Sequence, residues 1–348
     1  MFAPLKCKVH SVVGIDINWF GVTLIEMSIF NGMHRIEGVS KERLPPGALE
    51  GNTIKHRHVV SECIQQALEK GGIHSKQAVV AIPDLEVMTQ VISIHTGLCD
   101  REMEALIQLE LAQDGIFKNH DMYVDFQSIG PSVDKFAMQE VRVFASRRES
   151  VNERIAVVNR ADLQVKVVDI ESHAMQRSMQ GLAKSLAIEK RAQGKPAPFV
   201  ANLDLGVLET RLCVLQGENV IFTREEAFAT QPLIAAFLKD QICDRDAFRE
   251  HKTTLPSFME GLLLQIKRMM QCFLSTSAHQ SIEAILLSGE LAQVPNLPSL
   301  IQTNLGIVTS RVNPLSVCCM NEKLDYQWLS DLLPSMMLAF GLALRCEG

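Results

Sequence analysis

Two aspartates stand in matching surroundings about half the chain apart. Asp16 closes the apolar run Val12-Val13-Gly14-Ile15 and comes shortly before Val22-Thr23-Leu24-Ile25-Glu26. Asp204 ends Val200-Ala201-Asn202-Leu203, is followed by Leu205-Gly206, and precedes Thr210-Arg211-Leu212-Cys213-Val214-Leu215. Apolar alternation on both sides of a short turn reads as strand, tight turn, strand. A carboxylate where two strands part can face a metal-bound phosphate or a water, and the turn presents N–H groups to an anion. Asp16 and Asp204 are therefore candidates to meet a magnesium ion carried in on a nucleotide. The plainer alternative is an aspartate that caps its own turn. The recurrence predicts two related α/β lobes with a cleft between them.

Other chemistry-bearing residues have bland readings. Asp169 and Glu171 follow another predicted strand, where a water-positioning acid can sit, but helix capping is the favoured role. His56 and His58 are two apart with Lys55 and Arg57 interleaved, and lack the further ligands a metal needs. Arg147-Arg148 reads as a surface pair at a helix start, and the methionines Met259, Met269, Met270, Met336 and Met337 read as core. Trp19 and Phe20, on the first turn, are expected to pack into the space a phosphate would occupy.

The 348 residues suffice for two domains with their own cores. A hydrophobic share of 47% is ordinary for a globular chain, and a net charge of −6 without a long basic run argues against nucleic-acid binding. The nine cysteines are scattered without a C-x-x-C pair, which reads as reduced, buried thiols. No secretory apolar segment precedes the first strand, and no window of about 18 uncharged apolar residues suggests a membrane span.

The elements that must position these residues follow from periodicity. Residues 12–17, 22–30 and 33–39 read as strands, with Asn31-Gly32 as a hairpin turn. A helix centred on Val60–Leu68 stops at Gly71-Gly72, and Gln77–Ile82 is a short strand. Strand Val87–His95, helix Asp100–Gln113, and strands Met122–Ile129 and Ala137–Ser146 then form an insert of their own. Helix Glu149–Arg160, strand Val165–Asp169 and helix Ser172–Arg191 resume the first lobe, and residues 192–198 read as a linker. The second lobe begins with hairpins from Phe199 to Phe228. Helices at Gln231–Ile242 and Ser257–Phe273, strand Glu283–Leu287, helix Leu297–Leu305, strand Ile307–Ser310 and helix Pro334–Leu344 follow.

In this order, GIDINWFGVTLIEM, AVVAIPDLEVMTQVISI, IQLELAQDGIF, FASRRESVNERI, VKVVDIESHAM, LDLGVLETRLCVLQGENVIFTREEAF, IKRMMQCFLS, ILLSGELAQVPNL and MLAFGLALR make the chain resemble the PilM family of type IV pilus assembly proteins, relatives of the cell-division protein FtsA. The resemblance implies a two-lobed, actin-like (ribonuclease-H-like) α/β fold of FtsA type, the plan shared by actin, heat-shock chaperones and hexokinase. A small α+β insert, subdomain 1C, comes with it. Subdomain 1A would span residues 1–83 and 147–195, 1C 84–146, 2A 196–226 and 283–348, and 2B 227–282. It further implies a cytoplasmic scaffold, peripheral to the inner membrane through a partner, that receives the short N-terminal tail of the bitopic membrane protein PilN. Pilus motor ATPases and the platform protein are further partners in that setting.

The resemblance also implies an Mg-ATP site at Asp16, Asn18, Thr23, Asp204, Gly206, Thr210, Gln265, Arg268 and Gly289. The first phosphate turn departs from the family pattern. Asn18, Trp19, Phe20 and Thr23 replace a Gly, serines and a Lys, whereas Asp204, Gly206 and Thr210 keep the second turn. ATP binding is left open and little or no turnover is expected, because phosphates need close backbone approach, small hydroxyls and a cation. A tail would dock extended, with apolar anchors, near Val87, Met88, Gln90, Ile92, Leu106, Glu110 and the 114–126 stretch. The alternatives are a small-metabolite kinase of the actin and hexokinase superfamily, disfavoured by the damaged turn, an FtsA-like division protein, and the cytoplasmic part of a type II secretion protein. The last two would continue into a membrane-binding segment, which is not expected after Arg345-Cys346-Glu347-Gly348.

Overall fold

The structure is a computed structural model that describes residues 11–19, 21–113, 121–132, 135–192, 197–206, 209–227, 255–276, 281–294 and 296–347. Phe20, Cys7, Cys243, the 114–120 stretch and the helix expected at Gln231–Ile242 lie outside the described residues. The chain divides into two compact units.

The first unit comprises Val12–Glu26 and Val39–Ala174. It holds β1 (Val12–Asn18), the first part of β2 (Gly21–Phe30) and the last part of β3 (Met33–Arg43), followed by a small pair, β4 (Leu49–Glu50) and β5 (Thr53–Ile54). Next come α1 (Arg57–Lys70), β6 (Gln77–Ile82), β7 (Val87–His95) and α2 (Asp100–Gln113). β8 (Met122–Pro131), β9 (Met138–Arg147), α3 (Arg148–Arg160) and β10 (Gln164–Ile170) follow, and α4 (Glu171–Ala192) leads out. The main sheet runs β10-β6-β1-β2-β3, with β6 parallel to both β1 and β10. Its core joins Val13, Ile15 and Val80 to Val60, Ile64 and Ala67 of α1 and Val157 and Val158 of α3. The two helices therefore cover one face, as their i, i+3/i+4 apolar stripes require. The start of α4 is held by Asp84, whose carboxylate accepts from the Ser172 N–H at 3.0 Å and from the Ser172 hydroxyl. The sequence reading gave that capping role to Asp169 and Glu171.

The insert is a three-stranded antiparallel sheet ordered β7-β9-β8 with α2 on one face. Ile94, Val141 and Val143 pack there against Met103, Ile107 and Leu111, a second core separate from the first. Elements of the expected insert end within about two residues of their expected bounds, because period-2 and period-3.6 patterns are both clean here.

The second unit comprises Met27–Gly38 and Met175–Gly348. Its sheet runs β13-β12-β11-β14-β15, built from β11 (Phe199–Leu205), β12 (Glu209–Gln216), β13 (Asn219–Ala227), β14 (Ala284–Ser288) and β15 (Val308–Arg311). Helix Leu255–Thr276 buries Leu262, Ile266, Met269, Met270 and Phe273, and Phe222 meets Phe273 edge-on at 5.5 Å. The two-residue strand β16 (Cys319–Met320) pairs with Arg35 and Ile36 of β3, a contact with no sequence signal. Asn31 and Gly32 turn the β2–β3 hairpin at φ 51° and 76°, the left-handed pair a type I′ turn demands.

The expected last helix is broken into 3₁₀ turn Leu333–Met336, α-helix Met337–Ala343 and 3₁₀ turn Leu344–Glu347, with Pro334 in the first break. The stretch Tyr326–Cys346 is long and apolar enough to cross a membrane by length and composition, yet 67% of its most apolar 18-residue window is buried against protein. Met336 and Met337 are core residues, as their spacing suggested.

Candidate functional site

The first turn leaves β1 at Asn18. The Asn18 amide donates to Asp16 Oδ2 at 3.0 Å, and its carbonyl oxygen accepts the Gly21 N–H at 3.1 Å. Asn18 thus occupies both the carboxylate and a backbone donor that an anion would use. Thr23 lies within β2 at 1% exposure, so its position offers no surface group. Beneath the turn, the buried Arg154 of α3 donates from Nη1 to the Ile17 carbonyl at 3.2 Å and from Nη2 to the Asn52 carbonyl at 3.3 Å. Trp19 is half-buried.

The second turn leaves β11 at Asp204. Parallel pairing of β11 with β14 sets Asp204 opposite Ser288, whose hydroxyl donates to Asp204 Oδ1 at 2.8 Å and lies 3.2 Å from Asn202 Oδ1. Antiparallel pairing sets Asp204 opposite Arg211 of β12. Burial pushes the Asp204 carboxyl above the ordinary carboxylate range, with Glu290 and Glu225 adding to the rise while Arg211 and the Ser288 hydroxyl oppose it. Part of Asp204's surface stays open even so. Arg211 is itself held by Glu225 and, at 3.5 Å, by Glu209. The Thr210 hydroxyl is fully buried and has no hydrogen-bond partner among the described residues.

Gly289 follows Ser288 at φ 86°. A Cβ there would lie 2.5 Å from the Leu205 carbonyl oxygen, so this glycine is required by the neighbouring backbone. Gln265 donates to the Ala227 carbonyl at 3.3 Å, and Arg268 is exposed on the same helix.

The two turns differ in their fit to a nucleotide. The second offers a carboxylate, an orphaned hydroxyl and two glycines against neighbouring backbone, since a Cβ on Gly206 would lie 3.0 Å from the Glu209 carbonyl oxygen and one on Gly289 2.5 Å from that of Leu205, a set that suits a hydrated magnesium phosphate. In the first, Asn18 takes up the Asp16 carboxylate and the Gly21 N–H, and no small hydroxyl is offered, so it fits a phosphate poorly. No phosphoryl-transfer step follows from these residues. Among the described residues no group of three or more His, Cys, Asp or Glu could hold a metal ion alone. His56 and His58 stand edge to face with ring centroids 6.1 Å apart. Burial pushes the thiols of Cys63 and Cys213 up to about 11 and about 12, which makes them inert packing groups, while Cys99 is exposed.

A different feature lies in the insert. A cavity of about 330 Å³ opens between α2 and the start of β8, lined by Glu104, Gln108, Leu111, Ala112, Met122, Tyr123, Val124 and Arg148. Leu111 and Val124 bring its apolar floor from the insert core. Arg148 stacks over the Tyr123 ring at 4.4 Å and pairs with Asp121 at 2.8 Å. β8 is an outer strand of its sheet, so among the described residues one row of its backbone groups has no neighbouring strand.

A sequence profile for "Type IV pilus assembly protein PilM" matches residues 14–347. The chain belongs to this family. Its fold is the actin-like ATPase fold. It is similar to the structure titled "PilM-PilN type IV pilus biogenesis complex", with TM-score 0.74, 22% identity and coverage of 97% of this chain and 98% of that one. It is also similar to a nucleotide-free diol dehydratase-reactivating factor, with TM-score 0.54, 10% identity and coverage of 97% and 100%. A third match is the ethanolamine utilization protein EutJ from Carboxydothermus hydrogenoformans, with TM-score 0.50, 13% identity and coverage of 99% and 92%.

For a PilM-family chain, the sequence-expected groove residues scatter. Val87, Met88, Gln90 and Ile92 sit on β7, the opposite edge of the insert sheet from β8. Leu106 is half-buried and Glu110 exposed on α2, and neither lines the cavity. Within the expected 114–126 stretch, Met122, Tyr123 and Val124 do line it. Sequence reasoning missed Arg154, although its signal is visible. It is an arginine on the apolar stripe Val151, Val157, Val158 of a predicted helix.

Proposed function

We propose that the protein is a non-catalytic, cytoplasmic scaffold of type IV pilus assembly that binds the N-terminal tail of a PilN-like bitopic membrane protein, and that reaches the inner membrane through it. The observation that carries this reading is the α2–β8 cavity beside an outer strand. An extended tail adds to β8 by main-chain hydrogen bonds, and one apolar side chain enters the space over Leu111 and Val124. Glu104, Gln108 and Arg148 form a polar rim that fixes direction. The family profile and the similarity to a PilM–PilN complex support the choice of partner. The subdomain bounds given above, with 1C at 84–146, belong to this proposal.

The nucleotide role is secondary. The turn with Asp204, Gly206, Thr210 and Gly289 suits Mg-ATP, while the turn with Asp16, Asn18 and Thr23 does not. The chain is therefore proposed to bind ATP weakly and not to turn it over. Calorimetric titration with the N-terminal peptide of the PilN-like protein tests the scaffold. Micromolar binding supports it, and absence of heat with a folded protein rejects it.

A further inference from the structure

The cavity and the first turn belong to the same unit and are joined by one helix. We propose that α3 is a mechanical link that transmits occupancy of the α2–β8 cavity to the turn after β1, with Arg154, at the middle of the helix, as the positioning residue. The inference rests on the reading of the cavity as the tail-binding groove.

At the cavity end, three residues of chain are fastened to the first turn of α3. The Arg148 N–H donates to the Asp121 carbonyl at 2.9 Å, and its Nε donates to the Met122 carbonyl at 3.2 Å. The Tyr123 hydroxyl donates to Asn152 Oδ1 at 3.2 Å, and the Tyr123 ring lies under the Arg148 guanidinium. Asp121, Met122 and Tyr123 lead into the strand that a docked segment would extend. Any shift of Tyr123 to admit a side chain therefore displaces groups bonded to α3.

Halfway along the helix, about 9 Å from Arg148 on its axis, Arg154 is 4% exposed. Among the described residues it pairs with no carboxylate, and the carbonyls of Ile17 and Asn52 are its acceptors. A buried guanidinium cannot give up its acceptors cheaply, because no water replaces them. When α3 moves, the Ile17 carbonyl moves with it. Ile17 lies between Asp16 and Asn18, so the displacement reaches the turn itself.

The flank of α3 is tied to α1 rather than to the turn, through Arg57–Glu153 at 3.3 Å and Ser61 Oγ to the Val157 carbonyl at 3.0 Å. The helix pair can shift as a body by small sliding, the shear mode of packed helices. Trp19, two residues beyond Ile17, is the natural reporter, since the only other tryptophan is Trp328.

The test uses the full chain carrying Trp328→Phe, so that Trp19 alone emits. It is titrated with the N-terminal peptide of the PilN-like protein, recording heat and emission together. The expected result is a saturable emission change with the same midpoint as the heat. Arg154→Met should keep the midpoint within about twofold and lose the emission change, and Arg154→Lys, which keeps the charge, should retain part of it. Heat with unchanged Trp19 emission overturns the link and leaves the scaffold reading standing, as does an undiminished change in Arg154→Met. Absence of heat rejects the scaffold reading. In that case Arg148→Ala without peptide still decides the link, since altered Trp19 emission supports it and unaltered emission overturns it. Circular dichroism of each variant confirms folding.

Discussion

Asn18 and Asp16 are bonded to each other across the first turn, amide to carboxylate at 3.0 Å, and Asn18 also holds the Gly21 N–H. One side chain has taken the place of an external anion. These two bonds separate it from the second turn, where the Thr210 hydroxyl is left without a partner among the described residues.

This difference predicts feeble nucleotide binding. A charge-assisted phosphate contact contributes about 1.5–3 kcal/mol, so three lost contacts move a micromolar site to the millimolar range or beyond. Calorimetry with Mg-ATP should show a Kd no tighter than about 1 mM. Micromolar binding would mean that the second turn suffices.

Asp204 predicts a pH-dependent stability effect. Burial raises its carboxyl above the unfolded value, so the folded state holds this proton more tightly than the unfolded chain does. Its favourable contribution is complete below the unfolded pKa and is lost as pH rises through the folded pKa. At neutral pH this carboxyl is therefore a net cost to the fold, and Asp204→Asn should raise the urea midpoint at pH 7–8. The gain should shrink as pH falls towards about 4. A variant less stable at every pH would show that the Arg211 attraction outweighs burial.

Gly289 predicts a steric penalty. Gly289→Ala meets the Leu205 carbonyl oxygen at 2.5 Å and also needs φ 86°. The cost should be roughly 2–4 kcal/mol, from backbone strain and overpacking together. Thermal unfolding measures it, and a change under about 0.5 kcal/mol would show that the backbone relaxes there.

The cavity predicts a localised loss of tail binding. Ala112 is an exposed helix residue on the rim, so Ala112→Arg should fill the cavity and leave stability nearly unchanged. Peptide affinity should fall at least about tenfold, or about 1.4 kcal/mol. Val91→Asp, on the opposite sheet edge, should leave it unchanged. The reverse pattern would move the groove to β7, where the sequence reading placed four of its residues.

Much of this protein was legible from pattern alone. Periods of 2 and 3.6 located β7, α2, α3 and helix Leu297–Leu305 closely, because the three helices each have one buried face and a polar opposite face and β7 alternates apolar with polar residues. The ordered segments pointed to the family, and the loss of Gly and Lys around Asn18 was visible without coordinates. Pairings between distant segments were not legible. β16 is two residues long, Asp84 caps a helix 88 residues away, and Asn18 turns inward to Asp16 only because the strand geometry brings them within reach. The cavity was equally hidden. An alternating strand does not state which edge of its sheet it occupies, and an amphipathic helix does not state where it leaves space. Local periodicity is set by side-chain chemistry along the chain. Which backbone edge stays open, and which buried polar atom stays unpaired, is decided only when segments far apart in sequence pack together.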